Sequence, residues 1–184
     1  MPHANDKLLM YYCSIGNVKG VKHCIARRAN VNYVSTETFT RGESPLTTVT
    51  SRCTDGCAAG QIVQMLLVAG ANVNYARPRS EETVFWNIKS GPTSLFNAMV
   101  RDWTHIVKQL IDDGANVLID HKYGGRVAKY ARYFSPDHEL IELLENETNK
   151  QLRAYRERAF LILRLSVARE CGSFDACEIA TFQT

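Results

Sequence analysis

Three apolar runs along the chain each end in nearly the same phrase. Val21, Cys24 and Ile25 lead into Arg28-Ala29-Asn30-Val31-Asn32. Ile62, Val63, Leu66 and Leu67 lead into Gly70-Ala71-Asn72-Val73-Asn74. Ile106, Val107, Leu110 and Ile111 lead into Gly114-Ala115-Asn116-Val117. In the second and third runs the apolar residues fall at i, i+1, i+4 and i+5, which is one face of a helix. Glycine just past the last turn adopts the left-handed conformation that ends a helix, and Asn suits the turn after it. The alanines of the phrase recur at intervals of 42 and 44 residues, so the chain is built from repeated units.

Each run has an earlier partner. In unit one (about 6–32), Leu8, Leu9, Tyr12 and Cys13 share a helical face, and Gly16-Asn17 makes the turn. Unit two (about 42–74) opens on Gly42-Glu43-Ser44-Pro45-Leu46-Thr47, with Ser44 placed to cap and Pro45 suited to the first turn. Unit three (about 91–118) runs from Thr93-Ser94-Leu95-Phe96 without a gap. Unit four (about 124–146) is degenerate, as expected at the end of an array, where one face meets water.

These units resemble the ankyrin repeat, whose pattern is a helix opening on Thr-Pro-Leu-His, a Gly turn, an Ile-Val…Leu-Leu helix and a Gly-Ala-Asp-Val-Asn ending. Unit one departs from it at Arg28, where the family has Gly, and at Gly20, where it has Ile. The turn Ser51–Ala59 is about five residues longer than the family's. The resemblance implies an all-α ankyrin-repeat solenoid of about four helix-turn-helix units over residues 1–146. Nine residues separate Asn32 from Gly42 and sixteen separate Asn74 from Gly91, where the family has about five. These segments, 33–41 and 75–90, are expected to form long hairpin-like fingers. A short strand is expected near Val84, Trp86 and Ile88.

Residues 147–184 lie outside the repeat pattern. Gln151 to Glu170 has no Pro or Gly, and a helix is expected at about 149–170, ended by Gly172. From Ala159 to Ala168 it is apolar nearly all round, which predicts burial on more than one side.

Composition narrows the function classes. The chain has 184 residues, 45% apolar and 22% charged, near globular averages. The net charge of +3 gives no case for nucleic-acid binding, which draws on many phosphate contacts. The longest apolar run spans about ten residues, and a membrane helix needs about 20. The polar start and the absence of an export signal imply an intracellular setting with its six cysteines reduced.

Candidate chemistry is sparse. Cys53 and Cys57 have three residues between them, Asp55 at the centre, and with a third ligand such as His105 they would make a metal-dependent regulator or enzyme. No second Cys pair follows at zinc spacing. Cys24 adjoins His23, but neighbours on a helix point about 100° apart, and Cys24 takes a core position. No phosphate-cradling glycine loop, nucleophile elbow or zinc-protease motif is present. No enzyme activity, cofactor or metal is expected. Arg153, Arg156, Arg158, Arg164 and Arg169 are interleaved with Glu157 and Glu170, the pattern of a solvated face. Phe85 and Trp86 in the second finger are candidate partner anchors.

The resemblance implies a non-enzymatic adaptor, inhibitor or effector that grips a protein partner. Carried over by position, the concave-face contacts are Tyr11, Ser14, Thr48, Asn97 and Arg101. The finger contacts are Thr36, Glu37, Phe39 and Arg41, then Arg77, Arg79, Glu82, Phe85 and Trp86. Asn32 and Asn74 stand where some ankyrin proteins are hydroxylated. Short divergent arrays with added C-terminal helices look like those of large DNA viruses and intracellular bacteria, which implies a host-interaction role. A second reading is an assembly subunit that self-associates through residues 151–170.

Overall fold

The apolar runs become helices that pack in two rows. The computed structural model describes residues 4–78, 92–119 and 126–170. Among them every regular element is α-helical: α1 (Ala4–Ser14), α2 (Val18–Ala26), α3 (Pro45–Arg52), α4 (Gly56–Val68), α5 (Ser94–Val100), α6 (Thr104–Asp112), α7 (Val127–Phe134) and α8 (His138–Glu170). An isolated antiparallel bridge joins Ala76 to Thr93. The short strand expected near Val84 and the helix stop at Gly172 lie outside the described residues.

The chain divides into two compact units, Met1–Thr148 and Asn149–Thr184. In the first, α1 packs on α2, α3 on α4 and α5 on α6. The first helices also pack in sequence, α1 on α3, α3 on α5 and α5 on α7, while α2 packs on α4 and α4 on α6. One continuous core runs through them, from Leu9, Val21 and Leu46 to Ile62, Leu66, Leu95, Ile106 and Leu110, and on to Leu140 and Leu144.

Local chemistry sets the helix ends. Ser44 and Thr47 form a reciprocal capping box at α3: the Ser44 backbone N–H donates to Thr47 Oγ1, and the Thr47 N–H donates to Ser44 Oγ. Asp55 caps α4, accepting from the Cys57 and Ala58 N–H groups. Asp137 caps α8 through the Glu139 and Leu140 N–H groups and accepts the Thr104 hydroxyl at 2.6 Å. The Thr104 hydrogen bond is the largest of the influences that hold its carboxyl below the usual Asp range.

The extended turn before the second run of unit two is not a loop. Most of its length is extra helix, since α4 has 13 residues against nine each in α2 and α6. The helix expected at about 149–170 begins at His138 instead, as one 33-residue element. Nothing between 146 and 150 breaks it, because Asn146-Glu147-Thr148-Asn149 contains neither Gly nor Pro.

The phrase that ends each unit has a double role. Gly70 and Gly114 take φ of +87° and +84°, and Arg28 at the same place takes +58°. A side chain there is strained by roughly 1 kcal/mol relative to glycine. Arg28→Gly is therefore expected to raise stability by up to about 1 kcal/mol. A right-shifted urea midpoint at unchanged slope would show it, and an unchanged or lower midpoint would count against it.

Gly20, the other departure in unit one, also has a physical reason. A Cβ there would lie 2.5 Å from the Tyr12 ring, so the bare backbone of α2 is the seat for that ring.

Candidate functional site

The first Asn of each phrase closes its own turn. Asn30, Asn72 and Asn116 accept, through Oδ1, the N–H groups of Asn32, Asn74 and Leu118. The second Asn reaches the next unit. Asn32 donates to the Gly70 carbonyl at 2.9 Å and accepts from the Asn72 N–H at 2.7 Å. Asn74 repeats this with Gly114 at 3.2 Å and Asn116 at 2.7 Å. The two asparagines considered for hydroxylation thus have both ends of their amides in a clamp between neighbouring units.

Several position-based contact candidates are likewise engaged inside the molecule. Thr48 is fully buried and donates to Glu43, so it presents nothing to a partner. Its hydroxyl also meets Met10 Sδ of α1 at 3.8 Å. The Asn97 amide reaches Thr50 Oγ1 at 3.4 Å. The Arg101 guanidinium donates to the Ser51 and Cys53 carbonyls at the end of α3 and lies 4.8 Å over the Trp103 ring. Arg77 reaches Glu43 at 3.2 Å.

Glu43 is the centre of that last network and was not legible as such. Its side chain is 6% exposed, and its carboxylate takes Arg52 Nε at 2.8 Å besides Arg77 and Thr48. The hydrogen bond that Arg52 donates to Glu43 is what chiefly raises the Arg52 pKa. The Arg52 guanidinium also donates to the Phe39 carbonyl, so the network ties the first finger to α3 and to Arg77.

The first finger is a hairpin without strands. The Ser35 N–H donates to the Glu43 carbonyl and the Gly42 N–H to the Ser35 carbonyl, and Ser35 Oγ bonds Thr40 Oγ1 at 2.7 Å. Between this finger and α1 lies an open groove of about 250 Å³. Met10, Tyr11 and Ser14 line it from α1, and Tyr33, Glu37 and Phe39 from the finger. Lys7 spans to Glu37 at 2.6 Å, and that hydrogen bond raises the Lys7 pKa. Phe39 is 84% exposed and Tyr11 58%.

The structure therefore gathers Tyr11, Ser14, Glu37 and Phe39 around one groove. Thr36 and Arg41 are exposed on the same finger but do not line it. Arg79, Glu82, Phe85 and Trp86 lie outside the described residues. Lys7, Met10 and Tyr33 were missed, although Lys7 sits one helical turn before Tyr11 on the same face of α1. The groove offers aromatic contact, a thioether, hydroxyls and one ion pair, a lining suited to gripping a side chain of another protein.

The cysteines considered for metal chemistry face different ways. Cys53 is buried and donates to the Asp55 carbonyl, Cys57 is exposed, and the His105 ring meets the Gly56 carbonyl at 3.1 Å. Among the described residues no three His, Cys, Asp or Glu side chains come together as a metal-ligand set. Burial pushes the Cys13 thiol well above its ordinary value and raises that of Cys24 as well. Thiolate is the reactive form. A thiol reagent on the native protein should therefore mark Cys57 well before Cys13, Cys24 or Cys53. Peptide mapping at early times checks this, and equal rates at Cys13 and Cys57 would refute it.

The apolar stretch of α8 departs from its expected burial. Phe160, Leu161, Ile162 and Leu163 are between 57 and 66% exposed. The periodicity reports what the stretch is suited to cover, and nothing in the described residues covers it. Among those residues no helix is long and apolar enough to cross a membrane.

No protein-family model matches the chain, and no curated protein matches it.

Proposed function

We propose that the chain is an ankyrin-repeat protein-binding module that grips a partner protein at its N-terminal end. The observation that carries this is the groove beside α1, flanked by the exposed Phe39 and Tyr11 rings. Thr48, Asn97 and Arg101 in later units bond to other groups of the molecule, so among the described residues α1 and the first finger are the favoured contact surface. The repeat reading is supported by the phase-matched phrases and by the asparagine clamps, which recur in the same geometry from unit one to two and from two to three.

Stacked units make a rigid platform, so little ordering entropy is lost when a partner docks. Exposed aromatic rings around a pocket are the usual makings of a binding hot spot. Phe85 and Trp86 extend the same proposal to a second contact.

The test is a photo-crosslinking residue placed at Phe39, used in cells, beside the variant Tyr11→Ala/Phe39→Ala as affinity bait. The expected result is one crosslinked protein that wild type retains and the double variant loses. Retention by both baits with no crosslink at position 39 would place binding elsewhere. Folding of the variant is checked by its urea midpoint, which truncation of two exposed rings should leave nearly unchanged.

A further inference from the structure

The part of α8 with the exposed apolar residues also carries charge of nearly one sign. Between Asn149 and Ser166 stand Lys150, Arg153, Arg156, Arg158 and Arg164, against the single acid Glu157. All of these residues belong to the second compact unit. Arg153, Arg156 and Arg158 are exposed and form no ion pair among the described residues. The Arg164 guanidinium lies 5.6 Å over the Phe160 ring.

Two stripes run along this stretch. Leu152, Tyr155, Ala159, Ile162 and Ser166 are spaced alternately three and four residues apart, so they share one side of the helix, with no charge among them. Arg153, Arg156, Glu157, Phe160 and Arg164 share another side, roughly a third of the way round. Arg158 stands one turn before Ile162, at the border of the uncharged side. Phe160, Leu161, Ile162 and Leu163 are consecutive, and at about 100° per residue they point round almost the whole helix. Each of the four is more than half exposed. What covers this stretch must therefore take apolar surface well beyond one stripe and must carry negative charge.

We propose that residues 150–166 form a lipid-binding helix, which lies in the boundary layer of an anionic bilayer with Ile162 and Leu163 toward the acyl chains and the arginines at the phosphates. Helices with a basic face beside aromatic and aliphatic residues bind such surfaces by apolar burial and by attraction to anionic lipid together. A fluid boundary closes round side chains that no single partner helix reaches at once. The arginine stems add apolar length, and their guanidinium groups reach out to the headgroups. A second copy of the chain would set five basic residues against five. A nucleic acid would meet the arginines and leave Ile162 and Leu163 in water. Among the described residues no helix is long and apolar enough to cross a membrane, so contact along the surface is the form the binding takes.

The test is sedimentation of the full chain with vesicles of phosphatidylcholine mixed with phosphatidylserine, and with vesicles of phosphatidylcholine alone. The chain should pellet with the mixed vesicles and stay largely in the supernatant with the neutral ones. At about 0.5 M salt, where screening shortens to a few ångströms, the apparent affinity should fall at least about tenfold. Arg153→Gln/Arg156→Gln/Arg158→Gln should weaken binding roughly a hundredfold, and Ile162→Ser/Leu163→Ser at least about tenfold. These side chains are exposed, and circular dichroism of each variant confirms that its helices remain. The groove variant Tyr11→Ala/Phe39→Ala should bind the vesicles as wild type does, because the two surfaces are independent. A wild type that ignores the mixed vesicles, binds both kinds equally, or is indifferent to both sets of substitutions would overturn the proposal. So would a chain that, without lipid, forms dimers which Ile162→Ser/Leu163→Ser dissolves and which shut out vesicle binding.

Discussion

Glu43→Ala should lower the stability of the first unit by about 3 kcal/mol, the largest single effect expected from a polar residue here. Removing one partner of a buried ion pair typically costs 3–5 kcal/mol, because the other charge is stranded. The Arg52 and Arg77 side chains are 36 and 38% exposed, so water takes over part of their solvation and the loss falls at the low end. Thr48, fully buried, also loses its acceptor, and that loss is included in the total. Glu43→Gln keeps the shape and one acceptor oxygen and should cost less. Urea unfolding followed by circular dichroism measures both. If Glu43→Ala unfolds at the wild-type midpoint, the carboxylate does not hold the finger. The loss should also reach the groove, because the Arg52 bond to the Phe39 carbonyl is anchored on Glu43.

Asn74→Ala should cost about 2 kcal/mol, from two hydrogen bonds of roughly 1 kcal/mol each. Asn32→Ala breaks the same pair of bonds one unit earlier, at 2.9 and 2.7 Å, and should cost a similar amount. Asn74→Asp separates the clamp from simple loss of bulk. It keeps the acceptor for the Asn116 N–H but turns a carboxylate oxygen toward the Gly114 carbonyl, so it should be no better than Ala. An Asp variant as stable as wild type would mean that the bond to Gly114 contributes nothing. At roughly 2–4 °C per kcal/mol for a body of this size, either alanine variant should melt several degrees lower.

The helices were legible wherever an apolar face repeats with helical spacing, as in Ile62 to Leu67 and Ile106 to Ile111. Their ends were legible where a glycine or a capping residue marks them, as at Gly70, Gly114 and Ser44. The turn role of Asn30 and Asn72 could be read locally, because an Asx turn closes within two residues. The clamp role of Asn32 and Asn74 could not, because it depends on how far the next unit stacks. For the same reason, the bonds of Thr48, Asn97 and Arg101 inside the molecule could not be read from their positions. A position in a repeat fixes which way a side chain points, but the neighbouring unit decides what it meets. Tyr11, on the face of α1 that lines the groove, stays exposed where its counterpart Thr48 is fully buried. The apolar stretch of α8 shows the opposite limit. Its composition states that something should cover it and is silent about whether the cover belongs to this chain.

The ring of Tyr12 seated on Gly20 makes one position out of two. A designer regularising unit one toward the ankyrin pattern that it resembles would install Ile at residue 20 and meet the ring at once. The same designer trimming Tyr12 to a small residue would open a hollow over bare backbone. Each single step leads downhill, while the two together exchange a ring on glycine for a branched chain on a small residue. Residues 12 and 20 are thus expected to change as a couple in any library built on this chain, and selections that vary them separately will return the starting sequence.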